Sequence, residues 1–548
     1  MNRNGLHRVT FLLILVSLAC ALPIKSVNAR NEGGHALDTQ EETYKNPIIH
    51  ADYSDPDVIR VGDDFYLTAS SFNCVPGLPI LQSKDLINWR IIGHALNRLP
   101  PEDVFSKPQH GNGVWAPAIR YHQGEFFIFY PDPDRGIYMV KAKEASGPWS
   151  EPLLIKSAKG WIDPCPLWDS DGKAYLVSAM AASRSGIKSV LIVSRMSADG
   201  TRLLDDGAIV FDGHDQNPTV EGPKFYKRSD YYYIFAPAGG VETGWQLVLR
   251  SKNVLGPYEA RRVLAQGKTE INGPHQGAWV ETQTGESWFI HFQDKRAYGR
   301  IVHLQPMKWL GDWPVMGVDA DGDGTGEPVL TYRKPNVGRS WPAVTMADSD
   351  EFNDGALGPQ WQWHANPATN WMLPAGALGF IRLFNVPLPE DYKNFWDVPN
   401  LLLQKFPAPE FSVTTKITFT PRAETEKTGL IVMGLDYAYI SVEQKAGKVY
   451  LSQTSCKDAD RHTAETVSSP VELKAHTIYF RVHVANGGRC RFSFSTNGTE
   501  FTPAGEPFTA RQGRWIGAKV GLFAVGTSPT REMGYADVDW FRVQKQTS

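Results

Sequence analysis

The chain has 548 residues, with 56 basic and 59 acidic side chains and a formal charge of -3. That length exceeds what one hydrophobic core serves, so two domains are expected, and the near-balanced charge leaves no electrostatic footprint for nucleic acid. Aromatics at 11% and 49 glycines suit a β-rich, turn-rich protein.

Residues 1–29 read as a secretory signal peptide. Arg3, His7 and Arg8 precede an apolar stretch from Val9 to Ile24, and Val27-Asn-Ala29 is a small-residue cleavage site before Arg30. Ser17-Leu-Ala19 before Cys20 is a poor lipoprotein box, because a large aliphatic residue belongs where Ser17 stands. Lipid anchoring is therefore the alternative to cleavage after Ala29. The mature chain is expected to be secreted or periplasmic, and it has no apolar run of membrane-spanning length. Its four cysteines, Cys74, Cys165, Cys456 and Cys490, allow three pairings. They read either as a Cys456–Cys490 bridge or as buried free thiols.

From residue 44 to 335 one pattern recurs five times. The copies begin at Asp55-Pro-Asp-Val-Ile, Ala116-Pro-Ala-Ile-Arg, Asp163-Pro-Cys-Pro-Leu, Glu221-Gly-Pro-Lys-Phe and His275-Gln-Gly-Ala-Trp. Each has a head residue, a short apolar run, a polar turn and an aromatic-rich run, which predicts a hairpin. The copies start about 50 to 60 residues apart, the spacing of propeller blades. The expected fold is therefore a five-bladed β-propeller whose heads converge on one axis.

Lys334-Pro-Asn-Val-Gly-Arg-Ser-Trp-Pro342 then reads as a connector. From residue 347 to 548, runs such as Phe411–Thr420, Tyr437–Val442 and Thr477–Val484 alternate apolar and polar positions between Gly and Asn turns. That is the pattern of a two-sheet sandwich. The whole chain is expected to be all-β.

Convergent heads place Asp55, Asp163 and Glu221 around one pocket. Cleaving a glycosidic bond needs an acid to protonate the leaving oxygen and a second carboxylate across the sugar. In an inverting enzyme that second group activates water at roughly 6.5–9.5 Å from the acid, whereas a retaining pair stands about 5–5.5 Å apart. A third carboxylate would keep the acid protonated by like-charge repulsion. Spacing alone does not assign the three roles. Asp57, Asp63 and Asp64 read as structural, and Asp132 and Asp134 as turn or pocket-rim groups. Trp115, Phe72 and Trp161 are candidates for stacking on a sugar, with core packing as the competing reading. Asp319-Ala-Asp-Gly-Asp-Gly324 imitates the start of a calcium loop, but Leu330 stands where the bidentate Glu belongs. It reads as a turn or a weak structural calcium site. No cofactor is expected, and no metal is assigned to the pocket.

Asn46-Pro, the Asp55 segment, Gly113-Val-Trp-Ala-Pro117, Ile162-Asp-Pro164 and Val220-Glu-Gly-Pro223 resemble glycoside hydrolase family 43. Asp350-Glu-Phe-Asn353, Trp361-Gln-Trp363 and Ala536-Asp-Val-Asp-Trp-Phe541 resemble the sandwich, a concanavalin-like jelly roll, attached to xylosidases of that family. The resemblance implies an inverting mechanism with Asp55 as general base, Asp163 as the residue that tunes the acid, and Glu221 as general acid. It places a cation contacting substrate or Glu221 at Arg300, with Arg296 nearby. It also sets His275, with Gln276, at the centre of the propeller below the reacting bond; a hydrogen-bonded buried histidine is the other reading of His275. The sandwich would either lend an aromatic to the pocket wall or bind carbohydrate separately.

The function expected is an exo-glycosidase that releases terminal pentose from plant oligosaccharides or polysaccharides. β-D-Xylose is the first choice and α-L-arabinofuranose the second. A non-catalytic glycan-binding propeller is the rival from another class. Neither nucleic acid nor membrane insertion is expected, and oligomeric state is not legible.

Overall fold

A computed structural model describes residues 42–353, 356–527 and 532–546. The segment assigned to the signal peptide, with Cys20, lies outside the described residues. Among those described, no helix is long and apolar enough to cross a membrane.

Five sheets of four antiparallel strands follow one another, each with its strands in sequence order. Their first strands are Asp57–Val61, Ala118–His122, Trp161–Trp168, Lys224–Arg228 and His275–Glu281. These first strands contact the neighbouring sheets in ring order, and the fifth returns to the first. The result is a five-bladed propeller. Between blades the interior is apolar, built from residues such as Phe65, Ile119, Leu176, Ile234 and Ile290, all fully buried. Period-2 alternation explains why those particular residues face inward.

Ring closure depends on the segment before the first blade. Thr43–Lys45 pairs with Thr331–Arg333, and Ile49 bridges Val302 in the fifth blade. The Asn46 amide clasps the same blade by donating to the Leu304 carbonyl at 2.8 Å and accepting the Leu304 N–H at 2.8 Å. Asp57 is structural, as expected. Fully buried, it accepts the Ile119 N–H at 2.7 Å and pairs with Arg120 at 2.6 Å, joining the first two blades. Asp64 serves the hairpin edge by accepting from Gln82 and Lys84.

The second half is a sandwich of a nine-stranded and an eight-stranded sheet. Leu430, Ile440 and Leu522 from one sheet meet Ile417, Phe480 and Phe541 from the other in one core. In Phe411–Thr420 burial alternates residue by residue along all ten positions, so one face of the strand enters that core and the other does not. Two four-residue α turns, Glu102–Phe105 and Ala182–Ser185, are the α-helices among the described residues. The four cysteines among the described residues are buried free thiols, so the Cys456–Cys490 bridge is not formed.

Candidate active site

The register of the blades sets the site. Asp57, Ala118, Cys165, Lys224 and Gly277 occupy matching places, opposite Thr68, Phe129, Val177, Phe235 and His291. Two residues earlier the first, third and fourth blades turn through left-handed backbone at Asp55 (φ 55°), Asp163 (φ 55°) and Gly222 (φ 58°). Such φ values are uncommon for residues other than glycine and are tolerated best by Asp and Asn. At Gly222 a Cβ would also lie 2.5 Å from the Gln276 side chain. Glycine is therefore required there, and the acid of the fourth blade sits one residue earlier, at Glu221. Trp115 holds the same place in the second blade: its N–H donates to the Pro131 carbonyl as that of Glu221 donates to Pro237, both at 3.1 Å.

The three carboxylates line one cavity of about 110 Å³ with Phe72, Trp115, Gln276, Arg300 and a residue of the sandwich, Trp515. That volume is below the roughly 300 Å³ at which pockets for larger ligands begin, and it suits one monosaccharide ring.

Each acid has a distinct environment. Asp55 accepts the Ser70 hydroxyl at 2.5 Å and the Arg300 guanidinium at 3.0 and 3.3 Å. Both partners are donors, the surroundings an ionised carboxylate needs. Asp163 accepts the Gly222 N–H at 2.7 Å. Glu221 is buried enough that desolvation, then Asp163 and Asp55, push its carboxyl up to about 8. Burial raises Asp163 as well, with Asp55 adding to it and the Gly222 N–H opposing it. Because Asp163 already accepts that N–H, which favours its charged form, the proton the two acids compete for rests on Glu221.

His275 lies against Glu221, with Nε2 3.5 Å from Oε1. Burial, followed by Arg300 and His291, lowers its imidazole to about 3, so the ring is neutral and this contact is no ion pair. Neither ring nitrogen has a hydrogen-bond partner among the described residues, contrary to the hydrogen-bonded reading. Arg300 is 7% exposed, stacks on Phe292 at 4.7 Å and faces Trp515 at 5.9 Å. Arg296, the neighbouring candidate, is exposed and outside the cavity lining.

Trp161 does not join the group. Ile162 and Asp163 line the cavity, and Trp161 is not among its lining residues. Its indole instead lies under Lys156 at 4.4 Å and packs with the cluster of Phe127 and Phe129. Asp132 is a turn residue that accepts the Asp134 N–H and pairs with Arg135. Asp134 acts at the rim by holding Arg184, whose guanidinium lies 5.3 Å above Trp115. Asp319, Asp321 and Asp323 bring three carboxylates within 4.8 Å of one another, far along the chain from the pocket acids. Asp319 also accepts the Gly322 and Gly324 N–H groups, as a turn residue does.

Two functional positions were not read from the sequence. Trp515 reaches the pocket from the sandwich, 53% exposed and edge-on to Trp115 at 6.5 Å. Asp52 ties this loop to the propeller by accepting the Arg300 N–H at 2.9 Å and the Gly517 N–H at 3.0 Å. The contact is close: a Cβ on Gly517 would lie 2.8 Å from the Gly299 nitrogen. One carboxylate thus orients both the residue that pairs with Asp55 and the loop that carries Trp515.

Residues 44–314 match the family described as Glycosyl hydrolases family 43, and residues 349–544 match the Beta xylosidase C-terminal Concanavalin A-like domain. A putative beta-xylosidase of Xylanibacter ruminicola is 40% identical over 489 residues, which is 88% of this chain and 86% of that protein. A non-reducing end alpha-L-arabinofuranosidase of Bacteroides ovatus is 29% identical, over 91% of this chain and 94% of its own. Among solved structures, a xylan beta-1,4-xylosidase from Bacillus halodurans C-125 superposes with a TM-score of 0.81 at 26% identity, covering 91% of this chain and all of that one.

Proposed function

The chain belongs to glycosyl hydrolase family 43, and from that premise we propose that it is an exo-acting, inverting β-D-xylosidase. The observation that carries this reading is a cavity of one-sugar size in which three acids stand in three different environments, with the indole of Trp515 as part of its wall. A xylosyl residue at a chain end enters, and its glycosidic oxygen meets Glu221. Glu221 delivers its proton to that oxygen as the bond breaks. Asp55, oriented by Ser70 and Arg300, takes a proton from a water that attacks the anomeric carbon from the opposite face. Asp163 stays unprotonated, holds the Gly222 turn and keeps Glu221 protonated by repulsion. The segment 1–29 is taken as a cleaved secretory leader, so the working enzyme begins at Arg30.

The test is monosaccharide release from xylo-oligosaccharides and arabinoxylan, with the anomer followed by NMR. Xylose appearing first as the α-anomer from β-linked substrate is the expected result. First-formed β-xylose would mean retention, and arabinose alone would move the substrate to α-L-arabinofuranosides. The second substrate is kept in view by the arabinofuranosidase among the similar proteins.

The pH dependence follows from the acids. An acid catalyst works only while protonated, so kcat/KM falls as pH rises through the pKa of Glu221. Replacing Asp163 with asparagine removes the nearest like charge, and the alkaline limb of the kcat/KM profile moves to lower pH. A profile unchanged in position would remove Asp163 from this role.

Closure by Trp515 has its own expected outcome. In Trp515→Ala the pocket opens on the sandwich side and one ring loses an aromatic neighbour worth about 0.5–1.5 kcal/mol, so KM for xylobiose rises by up to about tenfold. Product profiling should then show cleavage within longer xylo-oligosaccharides, where the parent enzyme releases xylose alone.

A further inference from the structure

A second cavity, of about 340 Å³, lies where the propeller, the connector and the sandwich meet. It shares no lining residue with the reaction cavity. Ile49, Ile91, Met346 and Pro407 give it apolar walls, and His50, Gln360, Gln404 and Lys405 give it polar ones.

The polar groups are incompletely matched. Lys405 stands directly opposite Lys519 on the neighbouring antiparallel strand, a cross-strand pairing of like charges that is unfavourable by itself. Lys519 donates to the Cys74 sulfur at 2.8 Å and to Gln362 at 3.2 Å. Among the described residues neither lysine pairs with a carboxylate. Two acids are near: Asp348 pairs with Lys545 at 2.9 Å, and Asp52, which accepts the Arg300 and Gly517 N–H groups, acts on the Lys405 ammonium without pairing with it. The Lys405 ammonium lies over the Tyr53 ring at 5.0 Å. Burial, with Lys519 next, lowers this ammonium to about 8 against the opposing effect of Asp52, as expected of a cation with no carboxylate in direct contact. Gln404 is 4% exposed and its Nε2 has no hydrogen-bond partner. The Gln360 Oε1 and His50 Nδ1 atoms are likewise buried and unmatched. Buried polar groups without partners are rare and call for an explanation.

We propose that this cavity binds a sugar acid, its carboxylate on Lys405 and its hydroxyls on Gln404, Gln360 and His50. A cation with no carboxylate in direct contact has room for one. An unmatched amide donor and an unmatched amide acceptor together ask for groups that both donate and accept, as hydroxyls do. The apolar walls cover the ring carbons.

The test is calorimetric titration of the full-length protein with D-glucuronate at a pH below 8, with D-xylose and acetate as hydroxyl-only and carboxylate-only controls. Glucuronate is expected to bind saturably. Lys405→Met should weaken it at least about tenfold, the loss of one charge-assisted contact, and leave kcat/KM on xylobiose unchanged. This variant removes one of two opposed cations, so its thermal midpoint without ligand should not fall. Gln404→Leu, which keeps the charge, should weaken glucuronate and leave acetate unchanged. Unaltered glucuronate affinity in Lys405→Met, displacement of glucuronate by xylose, or the absence of glucuronate binding would each overturn the site. Acetate binding as tightly as glucuronate would overturn its assignment to a sugar acid.

Discussion

Glu221→Gln is expected to lower kcat on xylobiose by about 10²–10⁴-fold, the range a positioned general acid contributes, while substrate still binds. The xylose leaving group departs with a high-pKa oxygen and needs its proton in the transition state. Glutamine matches the shape of a glutamic acid and can hydrogen-bond the glycosidic oxygen, but it has no proton to transfer. An aryl xyloside with an acidic phenol leaves without help, so the same variant should lose far less on that substrate. The ratio of the two losses is the diagnostic quantity. The alkaline limb of kcat/KM should vanish as well, because the group pushed up to about 8 by burial and by Asp163 and Asp55 is gone. Equal losses on both substrates would exclude Glu221 as the acid. Full turnover of xylobiose by the variant would do the same.

The positions at which sequence reasoning succeeded and failed follow from what each residue depends on. Asp55 and Asp163 depend on the blade alone. They occupy the same turn in two copies of one hairpin, so aligning the copies brings them together before any coordinates are known. Glu221 depends on the blade and on one substitution: glycine takes the left-handed position, and the acid moves one residue towards the N-terminus. The hairpin pattern tolerates that offset, which is why the repeat still identified the acid. Trp161 failed for the opposite reason. An aromatic two residues before Asp163 carries no mark of which way it faces, and its indole packs under Lys156 with Phe127 and Phe129, the core-packing reading. Trp515 and Asp52 depend on how the sandwich docks on the propeller. No period or motif in Arg514-Trp-Ile-Gly517 carries that information, and the only sequence signal was the general expectation that the sandwich lends an aromatic. The docking itself is made by close backbone contacts at Gly517 and Gly299, which only a tertiary structure displays. The same limit applies to Lys405 and Lys519, unremarkable as surface lysines until the register sets them opposite each other.

The second large effect concerns the other side of the sugar. Asp55→Asn should abolish turnover on xylobiose and on the activated aryl xyloside alike, by about 10³–10⁴-fold on each, near the upper end for general base catalysis. Water must lose a proton as it attacks, whatever the leaving group, so a better leaving group offers no escape. This insensitivity separates the base from the acid with two substrates and two variants. Asn keeps the shape of Asp and can still accept from Ser70, and it leaves Arg300 without the carboxylate it now contacts at 3.0 Å. A lost counter-charge in so buried a place also costs stability, so the thermal midpoint must be read beside the kinetics. A base acts only through kcat: the folded variant should retain xylobiose affinity, measurable by calorimetry because nothing is consumed. Azide, a small anion that needs no deprotonation, is expected to restore turnover to Asp55→Asn, and because its product is the same in both mechanisms, trapping a covalent adduct is what separates them. An inverting site yields α-xylosyl azide, formed where water would have attacked the β-linked sugar. A retaining site with Asp55 as nucleophile would give the same anomer by direct displacement, but only it would trap a covalent xylosyl-enzyme on Asp55 in the unmodified protein with a 2-fluoro substrate. Failure to detect such an adduct by mass spectrometry, together with rescue, is the result expected of a carboxylate that works on water.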